Sequence, residues 1–197
     1  AGTAGAGRPL AGRHILVTAG PPHAPIDPVR FLANRSSGKQ GFAIAAAAAR
    51  AGARVTLIAG PVALPTPAGV TRLDVETAQQ MARAVDAALP ADVAVMVAAV
   101  ADWRVTDVGA MKIEKRAGGP PRLDLIENPD ILADLATGPR RPALVIGFAA
   151  ETHDVIARAT AKRARKGADW IVANDVSGDV MGGPDNCIHI IRSKKKV

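Results

Sequence analysis

A run of eight apolar residues at positions 93–100 (VAVMVAAV) constrains the fold of this chain more than any other segment. A strand without a polar face must be covered on both sides, as the central strands of a parallel sheet are. Further runs predict strands at 14–19, 54–59, 70–75, 143–148 and 169–173, with helices at 41–51, 78–89, 129–136 and 155–166. This alternation predicts an α/β fold with a Rossmann-like, doubly wound, mainly parallel sheet.

One segment departs from the alternation of strands and helices. Residues 112–115 and 122–126 alternate between apolar and polar side chains and flank the turn-forming residues 118–121 (GGPP), which predicts a hairpin. We expect residues 104–127 to protrude as an arm that either covers the active site or mediates dimerisation. Residues 13–197 then form a single domain, and the Gly- and Ala-rich residues 1–12 are interpreted as a linker or an artificial end.

Composition restricts the class of ligand and the compartment. The net charge of +7 comes with only 3% aromatic residues, so binding of single-stranded nucleic acid by base stacking is disfavoured. Basic residues gather at 158–166 and 194–196, a distribution that phosphorylated small molecules explain as well as nucleic acid does. The single cysteine, Cys187, excludes an internal disulfide and indicates a reducing cytoplasm, and no apolar run is long enough to predict a membrane span.

Residues 34–41 (NRSSGKQG) combine hydroxyl, amide and cationic side chains with two glycines at the start of a predicted helix. The N–H groups and positive dipole end of a helix favour anions, so the segment is interpreted as an anion-binding site. On these residues alone, an N-cap at Ser36 or Ser37 is the alternative. A P-loop is rejected because Ala33 and Gln40 stand where that motif requires Gly and Ser or Thr.

Five further residues are candidates whose role the sequence alone leaves open. Asp102 follows the 93–100 strand, where a carboxylate suits a ribose or hydrated magnesium, or alternatively a loop or helix cap. Lys162 and Lys166 lie one helical turn apart, which suits either a bound anion or a solvated basic face. Lys112 is either a surface lysine or a group that closes over a triphosphate. Phe148 suits either core packing or stacking on a base.

Two kinds of site cannot be assigned. The four histidines lack the spacing of metal ligands, so no metal-binding residue is named, and no nucleophile with its own base is identified. A nicotinamide-dependent reductase is a weak alternative, because the first strand runs into Gly20-Pro21-Pro22 without the glycine fingerprint and the chain contains no Tyr.

Eight short motifs, in order and at compatible spacing, resemble the phosphopantothenate-cysteine ligase family (phosphopantothenoylcysteine synthetase), in its bacterial CTP-dependent form. The resemblance covers about residues 15–191. The motifs are 18–21 (TAGP), 25–30 (PIDPVR), 34–39 (NRSSGK), 98–102 (AAVAD), 112–113 (KI), 128–130 (NPD), 147–152 (GFAAET) and 173–175 (AND).

The resemblance implies a two-step ligation in coenzyme A biosynthesis. The carboxylate of 4'-phosphopantothenate attacks CTP to give an acyl-cytidylate and pyrophosphate, and the amine of cysteine then displaces CMP. Residues 13–197 would be a single cytoplasmic ligase domain that uses Mg²⁺ with CTP. The family also implies a homodimer and fusion to a flavin-dependent decarboxylase, with no flavin in this segment and no nucleic acid or membrane as partner.

The resemblance also implies roles for individual residues. The catalytic residues would be Asn34, which holds the acyl-cytidylate, Arg30 in the same segment, and Lys112, which stabilises charge in the first step. The nucleotide would contact Met96, Val97, Ala98, Asp102, Lys112, Pro129, Asp130, Ile131, Leu132, Phe148, Lys162 and Lys166. Phosphopantothenate would contact Asn34, Ser36, Ser37, Gly38 and Lys39.

The chain departs from the family pattern at three places, one of which is its stop at Val197, where relatives usually continue with a helix, so a truncated chain or a fragment of a longer bifunctional chain is expected. Pro22-His23-Ala24 replaces the usual Thr-Arg-Glu, and Glu114 stands where relatives often carry a second lysine. An ATP-dependent version of the same ligase is the main alternative, although the spacing around Asn128 and Lys162 favours CTP. A nucleic-acid-binding module is the remaining alternative, and it predicts salt-sensitive binding to any duplex.

Overall fold

The computed structural model describes residues 7–115, 119–176 and 187–192. The strands are β1 (His14–Ala19), β2 (Ala24–Pro25), β3 (Phe31–Leu32), β4 (Arg54–Ala59), β5 (Val70–Asp74), β6 (Val93–Met96), β7 (Trp103–Val105), β8 (Leu125–Glu127), β9 (Leu144–Glu151), β10 (Trp170–Asp175) and β11 (Ile188–Arg192). The helices are α1 (Lys39–Arg50), α2 (Ala78–Ala87), α3 (Ile131–Thr137) and α4 (Val155–Lys166).

Within these residues, seven strands form the main sheet in the order β11-β10-β9-β6-β1-β4-β5. The six strands β5, β4, β1, β6, β9 and β10, in this spatial order, pair in parallel with their neighbours. Strand β11 joins the edge of the sheet antiparallel to β10. The chain moves outwards from β1 to β5 and then returns to β6 on the other side of β1. The carboxyl ends of β1 and β6 therefore form a topological switch point, which is where such sheets bind ligands. The predicted Rossmann-like fold is confirmed.

Helices cover both faces of the central strands. Ile15 and Val17 of β1 pack with Phe42 of α1 in one buried cluster. Leu16, which points to the other face, packs with Met81 of α2 and with residues of α3 in a second cluster. Because alternate residues of a strand face opposite sides, all six residues of β1 are buried, and its two polar side chains, His14 and Thr18, are hydrogen-bonded.

The helices begin through different local devices. At α2, Thr77 Oγ1 accepts a hydrogen bond from the Gln80 backbone N–H and the Gln80 side chain accepts one from the Thr77 N–H, which is a capping box. At α3, Asp130 Oδ1 accepts a hydrogen bond from the Ala133 N–H at 3.1 Å. At α1, the preceding residue is Gly38, which has no side chain that could cap the helix.

The start of α1 lies unusually close to the end of β1. A Cβ atom added at Gly41 would lie 2.5 Å from the Cβ of Ala19, so only glycine fits between the helix and the strand. The helix begins at Lys39, two residues before the predicted start. This close approach holds residues 34–38 beside the carboxyl end of the sheet.

Only the first half of the apolar run at 93–100 forms a strand. β6 ends at Met96, although the Val97 and Ala99 N–H groups still donate to the Thr18 and Gly20 carbonyls at 3.2 and 3.0 Å. The central, buried position of β6 is confirmed, but the predicted length is wrong. The remaining apolar residues form a loop that crosses the end of β1.

The predicted hairpin pairs different residues. Residues 112–115 form no strand, and β7 pairs antiparallel with β8, so that Trp103 lies opposite Glu127. Residues 116–118, which include the first residue of the expected turn, lie outside the described residues. The strand prediction fails at 112–115 because Ile113 there bonds to the segment 26–30 and not to a neighbouring strand.

Among the described residues, none of the helices has the length and apolar character that crossing a bilayer requires.

Candidate active site

A cavity of about 420 Å³ opens at the switch point, outside the carboxyl ends of β1, β6 and β9. Its wall includes Thr18 and Met96 near the ends of β1 and β6, Phe148 of β9, the loop after β6, the start of α3 and one face of α4. The lining residues are Thr18, Met81, Met96, Ala98, Val100, Ala101, Asp102, Trp103, Glu127, Asn128, Pro129, Asp130, Ile131, Leu132, Phe148, Lys162 and Lys166.

The cavity brings together ten of the residues for which the resemblance implies nucleotide contacts. Val97 and Lys112 are not in its wall. The side chain of Val97 packs with the cluster on the α1 face of the sheet, and Lys112 lies on the exposed arm. The nucleotide contacts of all twelve residues stay predictions, and the cavity shows only that ten of them lie together.

Lys162 and Lys166 supply the positive charge of the cavity. Burial lowers the pKa of Lys162 below its ordinary value of 10.5, and the positive charge of Lys166 acts in the same direction against the attraction of Glu151 and Asp102. Lys166 Nζ donates to the Asp130 carboxylate, the group that also caps α3. An anion bound here would favour the charged form of Lys162, which the apo protein disfavours.

Asn128 is a functional candidate for which the motifs implied no role. Its Nδ2 donates to the carbonyls of Ala101 (2.9 Å) and Trp103 (3.2 Å), and its backbone N–H donates to the Asp102 carbonyl at 2.8 Å. Asn128 thus fixes the backbone on both sides of Asp102. Its Oδ1 is buried and has no hydrogen-bond partner among the described residues. The signal in the sequence was the 128–130 motif.

The segment predicted to bind anions leads directly into α1. Gly38 has φ 73°, a left-handed conformation that favours glycine. The Gly38 N–H donates a hydrogen bond to the Ser36 hydroxyl oxygen at 3.3 Å. The alternative of a serine N-cap is wrong, because no side chain caps α1 and Gly38 occupies that position. The first-turn N–H groups of α1 and the exposed side chains of Ser37 and Lys39 lie in this segment, and their binding of an anion stays a prediction.

Asn34 connects this segment to the cavity. Its Nδ2 donates to the carbonyl of Val100, a cavity residue, at 3.0 Å. Arg30 has a different neighbour, because its Nη2 donates to the Ile113 carbonyl on the arm at 2.8 Å. The segment 30–39 therefore borders both the cavity and the arm that carries Lys112.

A second cavity, of about 660 Å³, lies beyond the ends of β4 and β5 and is lined by His23, Pro61, Asp74, Val75, Glu76 and Gln80. It contains none of the predicted site residues, and the first cavity has the convergent lysines. In the part of the chain that the structure describes, no group of three or more His, Cys, Asp or Glu side chains is arranged to hold a metal ion.

Comparison with known proteins gives consistent matches to one family. The family model of the DNA/pantothenate metabolism flavoprotein C-terminal domain matches residues 10–197. The coenzyme A biosynthesis bifunctional protein CoaBC of Escherichia coli strain K12 is 48% identical over 182 residues, which are 90% of this chain and 45% of that protein. The corresponding protein of Mycobacterium tuberculosis strain H37Rv is 52% identical over 178 residues, or 85% of this chain and 43% of that protein.

A solved structure agrees with these matches. The crystal structure of the C-terminal domain of CoaBC is 40% identical to this chain and superposes with a TM-score of 0.80, covering 96% of this chain and 86% of that one. The chain spans less than half the length of the curated relatives it matches. These matches confirm the resemblance seen in the motifs, and the chain belongs to the family of the DNA/pantothenate metabolism flavoprotein C-terminal domain.

Proposed function

We propose that this chain is the ligase domain that joins 4'-phosphopantothenate to cysteine in coenzyme A biosynthesis, with CTP as the activating nucleotide. Family membership supports the reaction class. The observation that carries the proposal is the hydrogen bond from Asn34 to Val100, because it makes the anion-binding segment adjoin the cavity that contains Lys162 and Lys166. Two anionic substrates can then meet at one junction.

In the first step, a carboxylate oxygen of phosphopantothenate attacks the α-phosphorus of CTP, and the bond from that phosphorus to pyrophosphate breaks. Lys162 and Lys166 bind the nucleotide phosphates, and Lys112 stabilises the charge that develops on them. Cations held in place by the protein stabilise such charge better than water does, because they need no reorganisation during the reaction.

In the second step, the amine nitrogen of cysteine attacks the acyl carbon, the bond from that carbon to the CMP oxygen breaks, and the amine releases a proton. Asn34 holds the acyl-cytidylate beside Val100 while this occurs. Both attacking groups belong to substrates, so the protein needs no nucleophile of its own and contributes positioning and electrostatic stabilisation.

The family implies magnesium together with the triphosphate. The described residues offer Asp102 as an exposed carboxylate at the cavity, but no cage of several acidic ligands. This fits magnesium, which keeps several waters and binds mainly through substrate phosphates. Asp102 would hold the hydrated ion, whose contribution is to neutralise phosphate charge.

The partners in this proposal extend beyond the described chain. The relatives are named bifunctional proteins, and we assign the second activity to a fused flavin-dependent decarboxylase in the cytoplasm. We also propose a homodimer formed through the arm. The support for the dimer is the exposure of large apolar side chains there, with Val108, Leu125 and Met111 exposed by 55%, 51% and 82%.

The experiment measures pyrophosphate release by the purified protein with phosphopantothenate, cysteine, magnesium and either CTP or ATP. We expect release with CTP and a product with the mass of the amide. Release with ATP alone would retain the ligase and reject CTP, and no release with either nucleotide would reject the ligase.

Two matched variants test the nucleotide site. Lys162→Gln removes a charge from the cavity, and Arg83→Gln removes one from the exposed surface of α2. We expect only Lys162→Gln to raise the KM for CTP, by about 10- to 100-fold, because a hydrogen bond to a charged group is lost. Equal effects of the two variants would contradict CTP binding in this cavity.

A further inference from the structure

A buried carboxylate outside the cavity wall connects two functional segments. The side chain of Asp27 has no exposed surface. Its Oδ1 accepts hydrogen bonds from the backbone N–H groups of Val29 (2.8 Å) and Arg30 (2.9 Å). Its Oδ2 accepts one from the backbone N–H of Ile113 on the arm at 3.1 Å. One carboxylate therefore orders its own loop and binds the arm.

Two more contacts join the same pair of segments. Arg30 Nη2 donates to the Ile113 carbonyl at 2.8 Å, so both backbone polar groups of Ile113 are bound. The Gly109 N–H donates to the Ile26 carbonyl at 2.9 Å. The arm is thus attached to the 26–30 loop at two points four residues apart, and the second point directly follows Lys112.

The carboxylate of Asp27 is held in its charged form. Burial alone raises the pKa of Asp27, but hydrogen bonds from the N–H groups of Ile113, Val29 and Arg30, together with the Arg30 charge, outweigh burial and lower the pKa below its ordinary value. Hydrogen bonds to a charged acceptor are stronger than neutral ones. The arm therefore attaches through the strongest acceptor of the loop.

We propose that Asp27 is a positioning residue that fixes the arm through the Ile113 N–H and so places Lys112 for the first step of the reaction. This inference rests on the proposed function, in which Lys112 stabilises charge on the phosphates. It also gives Arg30 a second task, since its guanidinium holds the Ile113 carbonyl from the same loop. A lysine displaced by about 1 Å loses much of its stabilising effect, on the order of 100-fold in rate.

The variant Asp27→Asn tests the proposal. The amide can still accept hydrogen bonds through one oxygen, but an NH₂ group replaces the oxygen that faces the Ile113 N–H. We expect the rate of pyrophosphate release to fall by about 100-fold, while amide formation from added acyl-cytidylate stays near the unmodified rate. The matched control is Asp107→Asn, which removes an exposed carboxylate from the same arm and should change neither step.

Non-additivity separates positioning from general loss of structure. If Asp27 acts through Lys112, the double variant Asp27→Asn/Lys112→Gln should release pyrophosphate no more slowly than Lys112→Gln alone. If the double variant instead loses rate by the product of the two single-variant losses, the proposal is overturned. Equal losses in both reaction steps would overturn it as well, because a merely structural role affects both.

Amide hydrogen exchange gives a readout that does not depend on catalysis. The Ile113 N–H should exchange faster in Asp27→Asn than in the unmodified protein, and unchanged protection would overturn the proposed attachment. If the unmodified protein releases no pyrophosphate, the proposed function fails while this measurement still decides the attachment. Should Asp27→Asn not fold, Gly109→Pro removes the hydrogen bond to the Ile26 carbonyl, which forms the other attachment point of the arm, and should produce a loss confined to the first step.

Discussion

The side-chain amide of Asn34 donates a hydrogen bond of 3.0 Å to the carbonyl oxygen of Val100, 66 residues later in the chain. Val100 lies in the loop that follows β6 and lines the cavity, and Asn34 lies just before α1. The bond therefore joins the segment suited to anions at the helix start to the cavity that contains the lysine pair. The proposed reaction needs such an arrangement, with one anionic substrate on each side of the reacting atoms.

We expect Asn34→Asp to slow amide formation while pyrophosphate release remains measurable. The carboxylate cannot donate to the Val100 carbonyl, and its charge repels the phosphate of the acyl-cytidylate. The second step should fall by about 100-fold or more, as for loss of a preorganised donor. The two steps are measured separately by pyrophosphate release and by amide formation from added acyl-cytidylate. Asn34→Ala, which removes the donor without adding charge, should lose less, and equal loss in both steps would argue against this role.

The sheet could be predicted from the sequence because its signal is local. Each parallel strand except the edge strand β5 is built on a short apolar run that is followed by Gly, Pro or a polar residue, and α/β alternation leaves few possible topologies. The end of β6 was predicted wrongly for the same reason. Residues 97–100 are as apolar as the strand before them, since they form a loop at a partly buried cavity, and hydropathy alone does not distinguish the two environments.

The arm could not be predicted in detail because its contacts are distant in sequence. The alternation of Lys112, Ile113, Glu114 and Lys115 is typical of a strand, yet the Ile113 N–H bonds to Asp27, 86 residues earlier. The same applies to Asn128, whose amide holds the carbonyls of Ala101 and Trp103. The motifs include both segments, whereas the hydrogen bonds of Ile113 and Asn128 depend on tertiary structure.

Lys112→Gln should depress the first step selectively. If the ammonium group stabilises charge that develops on the phosphates, its loss lowers the rate of pyrophosphate release by about 100-fold and leaves amide formation from added acyl-cytidylate nearly unchanged. Lys115→Gln is the matched control, because Lys115 is an exposed lysine on the same segment. If acyl-cytidylate forms at the normal rate in Lys112→Gln, Lys112 is an ordinary surface lysine.

Gly41→Ala should destabilise the protein although alanine is the better helix former. Helix propensity favours the substitution by about 1 kcal/mol. The new Cβ would lie 2.5 Å from the Ala19 Cβ, however, so α1 must move away from β1, and overpacking of this kind costs about 1–3 kcal/mol. Thermal unfolding measures the net effect. Ala47→Gly, at an exposed position of the same helix, should cost about 1 kcal/mol through propensity alone. A more stable Gly41→Ala protein would contradict the close approach of α1 and β1.

The affinity for CTP should fall as the pH rises through the lowered pKa of Lys162. Without a ligand, burial disfavours the charged form of Lys162, whereas bound phosphates favour it. The pKa of Lys162 is therefore higher in the complex with CTP than in the free protein. At a pH between these two pKa values, binding of CTP is accompanied by the uptake of a proton. The dissociation constant should then rise by up to about tenfold per pH unit. Calorimetry in buffers of different ionisation enthalpy measures the proton uptake, and Lys162→Arg, which stays charged, should abolish it.

The lowered pKa of Lys162 also sets the direction in which the stability of the ligand-free protein changes with pH. Between the lowered pKa of Lys162 and its ordinary value of 10.5, the unfolded chain binds more protons than the folded one. The free energy of unfolding contributed by this group therefore increases with pH across that window, and the penalty for burying the charge is fully present below it. Lys162→Gln removes the penalty, so the free energy of unfolding of this variant should exceed that of the unmodified protein below the window and approach it above. Denaturant unfolding at several pH values measures this difference, and a difference that stays constant with pH would mean that burial does not shift Lys162.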